Sequence, residues 1–228
     1  EVAIRNLLVV DEGDPFNEIL HKKSINNIKG SGLFSDVDFT VNDLDDVYKK
    51  DINIDVTEKP TGEISAGAGY GTSGQVITFG IKENNFRGNA SKLDTQLSIS
   101  TNSLRGSLTY FVPNYKNTDN SLNYAISRTN ADNLFSSGYK NELSDISVGT
   151  SFQYKRDLYV NPSFALNYEK LVTSSNASKT IKEQEGDYYN LNLIYGLSYD
   201  KRNQVFQPSD GYISRFSQRL PILSNNYT

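Results

Sequence analysis

The 228-residue chain has no cysteine, methionine or tryptophan and only one histidine. The lack of cysteine excludes disulfide frameworks, thiolate nucleophiles and cysteine-based zinc sites, and a single histidine disfavours histidine-rich metal centres. No apolar run approaches 18 residues and the mean hydropathy is −0.54, which excludes a transmembrane helix. A role in a membrane would therefore require β-strands.

The chain is weakly acidic, and its composition changes near residue 60. The net charge of −4 gives no general attraction to nucleic acid, so we expect no nucleic-acid partner. A charge-rich stretch, residues 43–59, ends at Pro60, after which Gly, Ser, Asn and Tyr dominate. We therefore predict two domains, residues 1–59 and 60–228. Since the chain begins without a methionine or a leader peptide, we expect it to be part of a longer protein.

Residues 1–59 predict a small helix-helix-strand-strand module. Residues 1–8 suit a first helix, and Asp14-Pro15 is an N-cap and first-turn pair for a second that continues to Lys29 and ends at Gly30. Apolar residues then alternate in two strands joined by a polar turn over residues 42–50. The alternating positions are Val37, Phe39 and Val41, then Ile52, Ile54 and Val56.

From residue 62 onward, apolar and polar residues alternate with a period of two. This pattern predicts nine strands, at residues 64–70, 77–81, 93–99, 104–112, 122–126, 146–154, 158–168, 191–199 and, more weakly, 211–220. Pro162 falls inside the seventh strand and predicts a bulge or a locally broken ladder.

Alternation alone fits a soluble β-sandwich almost as well as a membrane barrel. Three features favour the barrel. The strands are about ten residues long, as a tilted membrane strand requires. Mid-strand positions on the apolar face carry no charge, and Tyr and Phe gather near strand ends, as in interfacial girdles.

Two other features of the sequence do not indicate a binding or catalytic site. Gly69 to Gly74 matches the dinucleotide pattern GxGxxG, but the following residues are strand-like, whereas this fingerprint requires a helix. His21 has no cysteine to pair with and is interpreted as a surface residue of the second helix. An outer-membrane enzyme would need a nucleophile clustered with a base, so we expect no enzymatic activity.

Several segments together resemble the BamA-type family of outer-membrane assembly factors, which combine POTRA domains with a β-barrel. Residues 61–89 are similar to the opening of the family's barrel, and residues 199–211 to its tyrosine, aspartate, Phe-Pro and glycine turn, with Gln207 inserted between Phe206 and Pro208. Gly13-Asp14-Pro15-Phe16 and residues 32–37 resemble the last POTRA domain.

The resemblance implies an α+β POTRA module lacking its first strand at residues 1–59, followed by about nine of sixteen antiparallel barrel strands. It implies assembly and insertion of β-barrel proteins into the bacterial outer membrane, with residues 1–59 in the periplasm. The implied partners are unfolded barrel clients, accessory assembly lipoproteins and outer-membrane lipid, with no cofactor. An outer-membrane transport protein, either a porin or a two-partner secretion translocator, is the alternative.

The resemblance also assigns a function to the first barrel strand, where a client strand would pair with the exposed backbone. Three glycines within five residues weaken this strand, although small residues could instead only help the lumen to close. The predicted pairing edge comprises Ile64, Ala66, Gly67, Ala68, Gly69 and Tyr70.

Loop lengths predict the sidedness of the strands. If residues 1–59 are periplasmic, the odd-numbered connections between the barrel strands face the cell exterior. The two longest predicted connections are the fifth, residues 129–142, and the seventh, residues 172–187, whereas the sixth, residues 155–157, is short. This agrees with the rule that extracellular loops are the longer ones.

Overall fold

The computed structural model describes residues 2–10, 12–44, 50–71, 74–203 and 208–225. The chain forms two compact units. One comprises Glu1–Glu63 with Glu83–Lys92, and the other Ile64–Lys82 with Leu93–Thr228.

The first unit contains two helices and a two-stranded antiparallel sheet. The predicted apolar positions of the two strands face each other in register, as Val37–Val56, Phe39–Ile54 and Val41–Ile52. The pattern therefore predicted both strands and their pairing, while residues 45–49 of the predicted turn lie outside the described residues. The elements are α1 (Val2–Arg5), α2 (Glu18–Gly30), β1 (Phe34–Asp43) and β2 (Lys50–Glu58).

Both helices are shorter than predicted. The first ends at Arg5, and the second begins at Glu18 rather than at the Asp14-Pro15 pair. Asn17 is the residue that caps it, because its side-chain oxygen accepts hydrogen bonds from the backbone N–H groups of Ile19 and Leu20 at 2.9 and 3.2 Å. Gly30 is the last helical residue, in agreement with the predicted end.

The second unit is built on a nine-stranded antiparallel sheet, with all nine predicted strands in the predicted order. Each strand pairs with its neighbours in sequence, from β3 at one edge to β11 at the other. The strands are β3 (Gly62–Gly71), β4 (Gly74–Phe86), β5 (Ser91–Ser100), β6 (Ser103–Val112), β7 (Ser121–Asn133), β8 (Tyr139–Lys155), β9 (Leu158–Thr173), β10 (Gly186–Asp200) and β11 (Ile213–Ser224).

The connections correct the prediction of loop lengths. Most of residues 129–142 belong to the paired ends of β7 and β8, which leaves only residues 134–138, with the short helix α3 (Leu134–Ser137), as the fifth connection. The seventh, residues 174–185, contains α4 (Lys179–Lys182), but the eighth, residues 201–212, is just as long. In this part of the sheet, the length of a connection therefore does not indicate which side of the membrane it faces. The reason is that β7 and β8 stay paired beyond their predicted ends and include residues that were predicted to be loop.

Pro162 interrupts the ladder between β8 and β9, as predicted. Paired residues run from Tyr139–Thr173 to Gly149–Ser163 and resume at Phe152–Val160 without a change of register. Pro162 has no N–H group to donate, which leaves a local gap on the β8 side, whereas the pairing of β9 with β10 continues through Tyr195–Pro162.

Candidate functional site

The residues predicted to pair with a client lie together on β3, the outermost strand at one edge of the sheet. In the described sheet β3 is hydrogen-bonded to β4 alone. All ten of its residues are exposed, and the exposed fractions of Ile64 and Tyr70 are 84% and 85%. An exposed row of unpaired backbone groups is a template for another strand. The six residues are Ile64, Ala66, Gly67, Ala68, Gly69 and Tyr70.

The polar face of β3 is open around its last glycines. A Cβ atom on Gly67 would lie 2.9 Å from Thr78 Oγ1, a hydroxyl that can turn away, whereas on Gly69 or Gly71 it would meet nothing within 4 Å. Packing does not require glycine at 69 or 71, so their main effect is to loosen the backbone. The result is a shallow depression of about 330 Å³, lined by Gly67, Ala68, Gly69, Tyr70, Gly71, Val76 and Thr78.

The opposite face carries continuous rows of exposed apolar side chains. Ile126, Ile146 and Leu166 are directly opposite one another on three adjacent strands, and 49%, 54% and 46% of their surfaces are exposed. Such a face is typical of contact with hydrocarbon. The full row runs Leu108, Ile126, Ile146, Leu166, Leu191 and Leu223, and a second runs Tyr110, Tyr124, Val148, Phe164, Leu193 and Leu220.

Pairs of tyrosine side chains lie at both ends of this apolar band. Tyr168 and Tyr189 have ring centroids 4.9 Å apart at one end, and Tyr199 and Tyr212 are 6.0 Å apart at the other. Ten residues separate Tyr189 from Tyr199, or about 33 Å at about 3.3 Å per residue. With the usual tilt of about 40°, that length spans about 25 Å, the height of the apolar band of a transmembrane barrel.

A hydrogen-bonded polar network crosses the other face of the sheet. The carboxylate of Asp145 accepts hydrogen bonds from Ser127 Oγ at 3.1 Å and from Asn167 Nδ2. Asn167 Oδ1 in turn accepts one from Asn192 Nδ2 at 2.8 Å, and only 6% of Asn192 is exposed. Because four adjacent strands contribute, the network ties β7 to β10 side by side.

The fifth and seventh connections join at Gly138. Its carbonyl oxygen accepts hydrogen bonds from the backbone N–H and the hydroxyl of Ser174, at 2.8 and 3.1 Å. Its φ of +77° favours glycine, and a Cβ there would lie 2.5 Å from the backbone nitrogen of Ala177. We call Gly138, Ser174 and Ala177 the loop joint.

The turns at the other end of β8 to β11 are held by charged pairs. Arg202 donates two hydrogen bonds to the carboxylate of Asp200, from Nε at 2.9 Å and from Nη2 at 2.6 Å. The Arg202 guanidinium lowers the pKa of Asp200 to about 2. Lys201 Nζ lies 3.1 Å from Asp157 Oδ2, which links the sixth connection to the eighth. Residues 204–207 of the family-like turn lie outside the described residues.

The described residues form no group of three or more His, Asp or Glu side chains close enough to hold a metal ion. His21 lies between the rings of Phe16 and Phe39, at centroid distances of 5.7 and 5.6 Å. Gly74 begins a strand rather than a helix, so the dinucleotide pattern lacks the element it needs. In the described parts of the chain, no helix has the length and hydrophobicity needed to cross a membrane.

Comparison with known proteins decides the family. The model of the Omp85 superfamily domain matches residues 85–227, which is more than half of the chain. The chain belongs to the Omp85 superfamily. The sequence also resembles the outer membrane protein assembly factor BamA of Neorickettsia risticii (strain Illinois), with 22% identity over 222 residues, covering 96% of this chain and 30% of that protein. The predicted resemblance to BamA-type proteins is confirmed.

Two solved structures share the fold of this Omp85 chain. BamA from Haemophilus ducreyi lacking POTRA domains 1–3 has a TM-score of 0.72 and 21% identity, covering 96% of this chain and 45% of that one. CdiB from Acinetobacter baumannii has a TM-score of 0.56 and 13% identity, covering 98% and 44%. The Omp85 chain thus spans less than half of either structure and about a third of the curated relative. The nine strands correspond to part of a BamA-like barrel.

Sequence reasoning located the edge strand of this Omp85 chain but missed the residues that hold the rest of the sheet together. The loop joint and the Asp145 network depend on register across several strands. The only sequence signal for the Asp200–Arg202 pair was the family-like turn that contains it.

Proposed function

We propose that this chain is part of a bacterial outer-membrane protein that assembles and inserts β-barrel proteins by pairing a client strand with β3. The observation that carries the proposal is β3 itself, an exposed strand that three glycines within five residues leave weakly packed, in a sheet with an apolar face suited to lipid. The similarity to the outer membrane protein assembly factor BamA supports the same role.

The physical reason is the cost of bare backbone in hydrocarbon. Each unpaired N–H or C=O group there costs several kcal/mol, so a client strand cannot enter alone. An edge strand offers these groups a partner before the client closes on itself. Since the bonds are between backbones, one edge can serve clients of different sequence. The glycines of β3 let it separate again at low cost.

We further propose that residues 1–59 are a POTRA module in the periplasm. The helix on a small antiparallel sheet and the Gly13-to-Phe16 segment support this. The match to BamA lacking POTRA domains 1–3 covers 96% of this chain, so it extends into these residues. The partners would be unfolded barrel clients, accessory assembly lipoproteins and outer-membrane lipid. The proposed activity is not enzymatic and needs no cofactor.

The proposal is tested by disulfide trapping between β3 and a client. The chain has no native cysteine, so a single Ala66→Cys or Ala68→Cys is unambiguous within it. The full-length variant is mixed in its membrane with a client that carries one cysteine in its terminal strand. We expect trapped product at client positions spaced by two residues, because only residues on the same face meet across a ladder. The trapped client should also stall before insertion.

Leu166→Cys is the matched control. Leu166 faces the same side of the sheet as Ala66, but its strand, β9, is already paired with β8 on one edge and β10 on the other. We therefore expect no trapping there. Equal trapping at positions 66 and 166, or insertion that continues with the client covalently attached, would exclude strand pairing at β3.

The transport alternative predicts the opposite behaviour at the same edge. The polar face, with the Asp145 network, is suited to a water-filled lumen in either protein. A conducting or secretory barrel needs β3 sealed to a neighbour, since an open edge would expose backbone to lipid. Tethering β3 by a disulfide to the strand that adjoins it in the full-length protein should therefore spare transport but abolish client insertion, with recovery on reduction.

A further inference from the structure

A row of polar and charged side chains lies on the lipid-facing side of the sheet, directly beyond the apolar band. Arg128, Ser144, Tyr168 and Tyr189 are opposite one another on β7 to β10. Each is two residues beyond a member of the apolar row, so each points to the same face. Arg128 is therefore the first cation beyond the hydrocarbon, and 68% of its side chain is exposed.

Two further cations stand close to Arg128. Arg128 Nη2 and Lys140 Nζ contact the carboxylate of Glu142 at 3.2 and 2.9 Å, and Lys170 is its cross-strand neighbour. Glu142 is the carboxylate that lies beside all three cations, and Asp132 and Asp187 are the other two carboxylates on this surface. Asp187, beside Lys170, already accepts a hydrogen bond from Tyr168 Oη at 2.8 Å, and Asp132, beside Lys140, accepts one from the backbone of Leu134. Arg128 and Lys170 keep donors for a further anion.

We propose that Arg128, Ser144 and Lys170 bind the phosphate of a lipid headgroup, whose acyl chains lie along Ile126, Ile146 and Leu166. The proposal rests on the membrane location proposed above and names a lipid partner for this surface. Arg128 and Lys170 are two strand spacings apart, about 10 Å, and Lys170 lies two residues further along its strand, so their long side chains can approach one phosphate from two directions. Ser144 lies directly opposite Arg128 on the intervening strand, and its hydroxyl can serve as a third donor.

The surface suits an amphiphile better than a free ion. Exposed apolar side chains continue from the cations without a break, so acyl chains and headgroup are matched at once. The backbone of the site is also held in place, because β7 and β8 stay paired to Asn133 and Tyr139, five residues beyond Arg128 and Ser144. Cations held just beyond the apolar band would favour lipids with an anionic headgroup.

The test is lipid binding to the full-length protein, measured by native mass spectrometry in a neutral detergent. The probes are phosphatidylglycerol, diphosphorylated lipid A, diacylglycerol, which has no phosphate, and inorganic phosphate. Each cation near a membrane surface is expected to contribute about fivefold, so the double variant Arg128→Gln/Lys170→Gln should lose about 25-fold in affinity for both phospholipids. Diacylglycerol and inorganic phosphate should bind weakly to every form.

The matched control is Lys116→Gln/Lys155→Gln, which removes the same charge from lysines that lie over Tyr115 and Tyr154. It should bind lipid like the unmodified protein, and so should the charge-preserving Arg128→Lys/Lys170→Arg. Equal losses in both double glutamine variants would reduce the site to general electrostatics and overturn the proposal. Tight binding of inorganic phosphate alone would indicate a free-anion site instead.

Client trapping at β3 separates this proposal from the proposed function. If Ala66→Cys fails to trap clients while the lipid preference holds, strand pairing fails and the lipid site stands. If trapping succeeds while the Arg128→Gln/Lys170→Gln variant binds phospholipid normally, only the lipid site is excluded.

Discussion

The two parts of the sheet are built in opposite ways. At the β3 edge, the strand of ten residues carries alanine or glycine at positions 66–69, and a Cβ at Gly69 or Gly71 would meet nothing within 4 Å. From β7 to β10, strands of thirteen to seventeen residues are joined by the Asp145 network, by the loop joint and by the Lys201–Asp157 ion pair. Strength is thus concentrated where the sheet is already complete, and weakness where the proposed function needs an open edge.

The largest expected difference between the two parts is in backbone opening. Amide hydrogens in residues 64–70 should exchange at least about 100-fold faster than those in residues 146–149, because the glycines of β3 add little packing, whereas β8 is paired on both sides. Hydrogen exchange with mass spectrometry on the full-length protein in detergent measures both segments in one sample. Similar protection in the two segments would mean that β3 is sealed, and would favour the transport alternative.

Breaking the loop joint should remove much of the extra stability of the β7 to β10 region. Gly138→Ala places a methyl group against the backbone of Ala177 at a φ of +77°, and we expect a loss of about 2–4 kcal/mol in the stability of the joined connections. Limited proteolysis within residues 174–185 should then be accelerated. Gly69→Ala is the control, since its Cβ would meet nothing within 4 Å. Equal protease resistance in the two variants would argue against the joint.

The smallest expected effect is on the unfolding temperature. It comes from the Asp200–Arg202 pair and depends on pH. Because Arg202 lowers the pKa of Asp200 to about 2 in the folded protein, against about 3.9 when unfolded, the ionised form stabilises the fold above pH 4. Asp200→Asn should therefore lower the unfolding temperature by a few degrees from pH 7 to about pH 4. The difference should shrink between pH 4 and pH 2, as the unmodified protein loses the charge too.

Thermal unfolding monitored by circular dichroism across this pH range makes the comparison. Asp119→Asn, at an exposed carboxylate in the fourth connection, should leave the unfolding temperature unchanged throughout. A difference for Asp200→Asn that disappears already at pH 5 would show that the pair with Arg202 does not hold its carboxylate ionised.

Sequence patterns predicted the fold where one face of a strand is apolar. The pairs Val37–Val56 and Ile146–Leu166 follow from alternation, since a shift of one residue would turn every apolar side chain to the wrong face. The pattern failed beyond the apolar band, where Arg128, Asn130 and Asp132 continue β7 although both faces are polar. There the strand is held by its hairpin partner, a contact that local sequence does not encode.

Local chemistry was ambiguous at the second helix for a different reason. Asp14 and Asn17 are both good N-cap residues, and the choice between them depends on which arrangement lets Ser24 reach Val9: its hydroxyl accepts a hydrogen bond from the Val9 backbone N–H at 2.9 Å. The loop joint was not predictable either, because Gly138 and Ala177 meet only after two hairpins have formed. The weakness of β3 was predictable from its glycine content, but the open space around Gly69 and Gly71 required the structure.

The strictly sequential order of the sheet also has a consequence for biogenesis. Every described strand pairs with its neighbour in the chain, so contacts are local, and hairpins of this kind close in about 1–10 μs. As residues emerge in order, each new strand covers the edge left by the one before it. Pairing in this order does not cover the outer edge of β3. The first strand of the sheet to form therefore keeps unpaired backbone groups for the longest time.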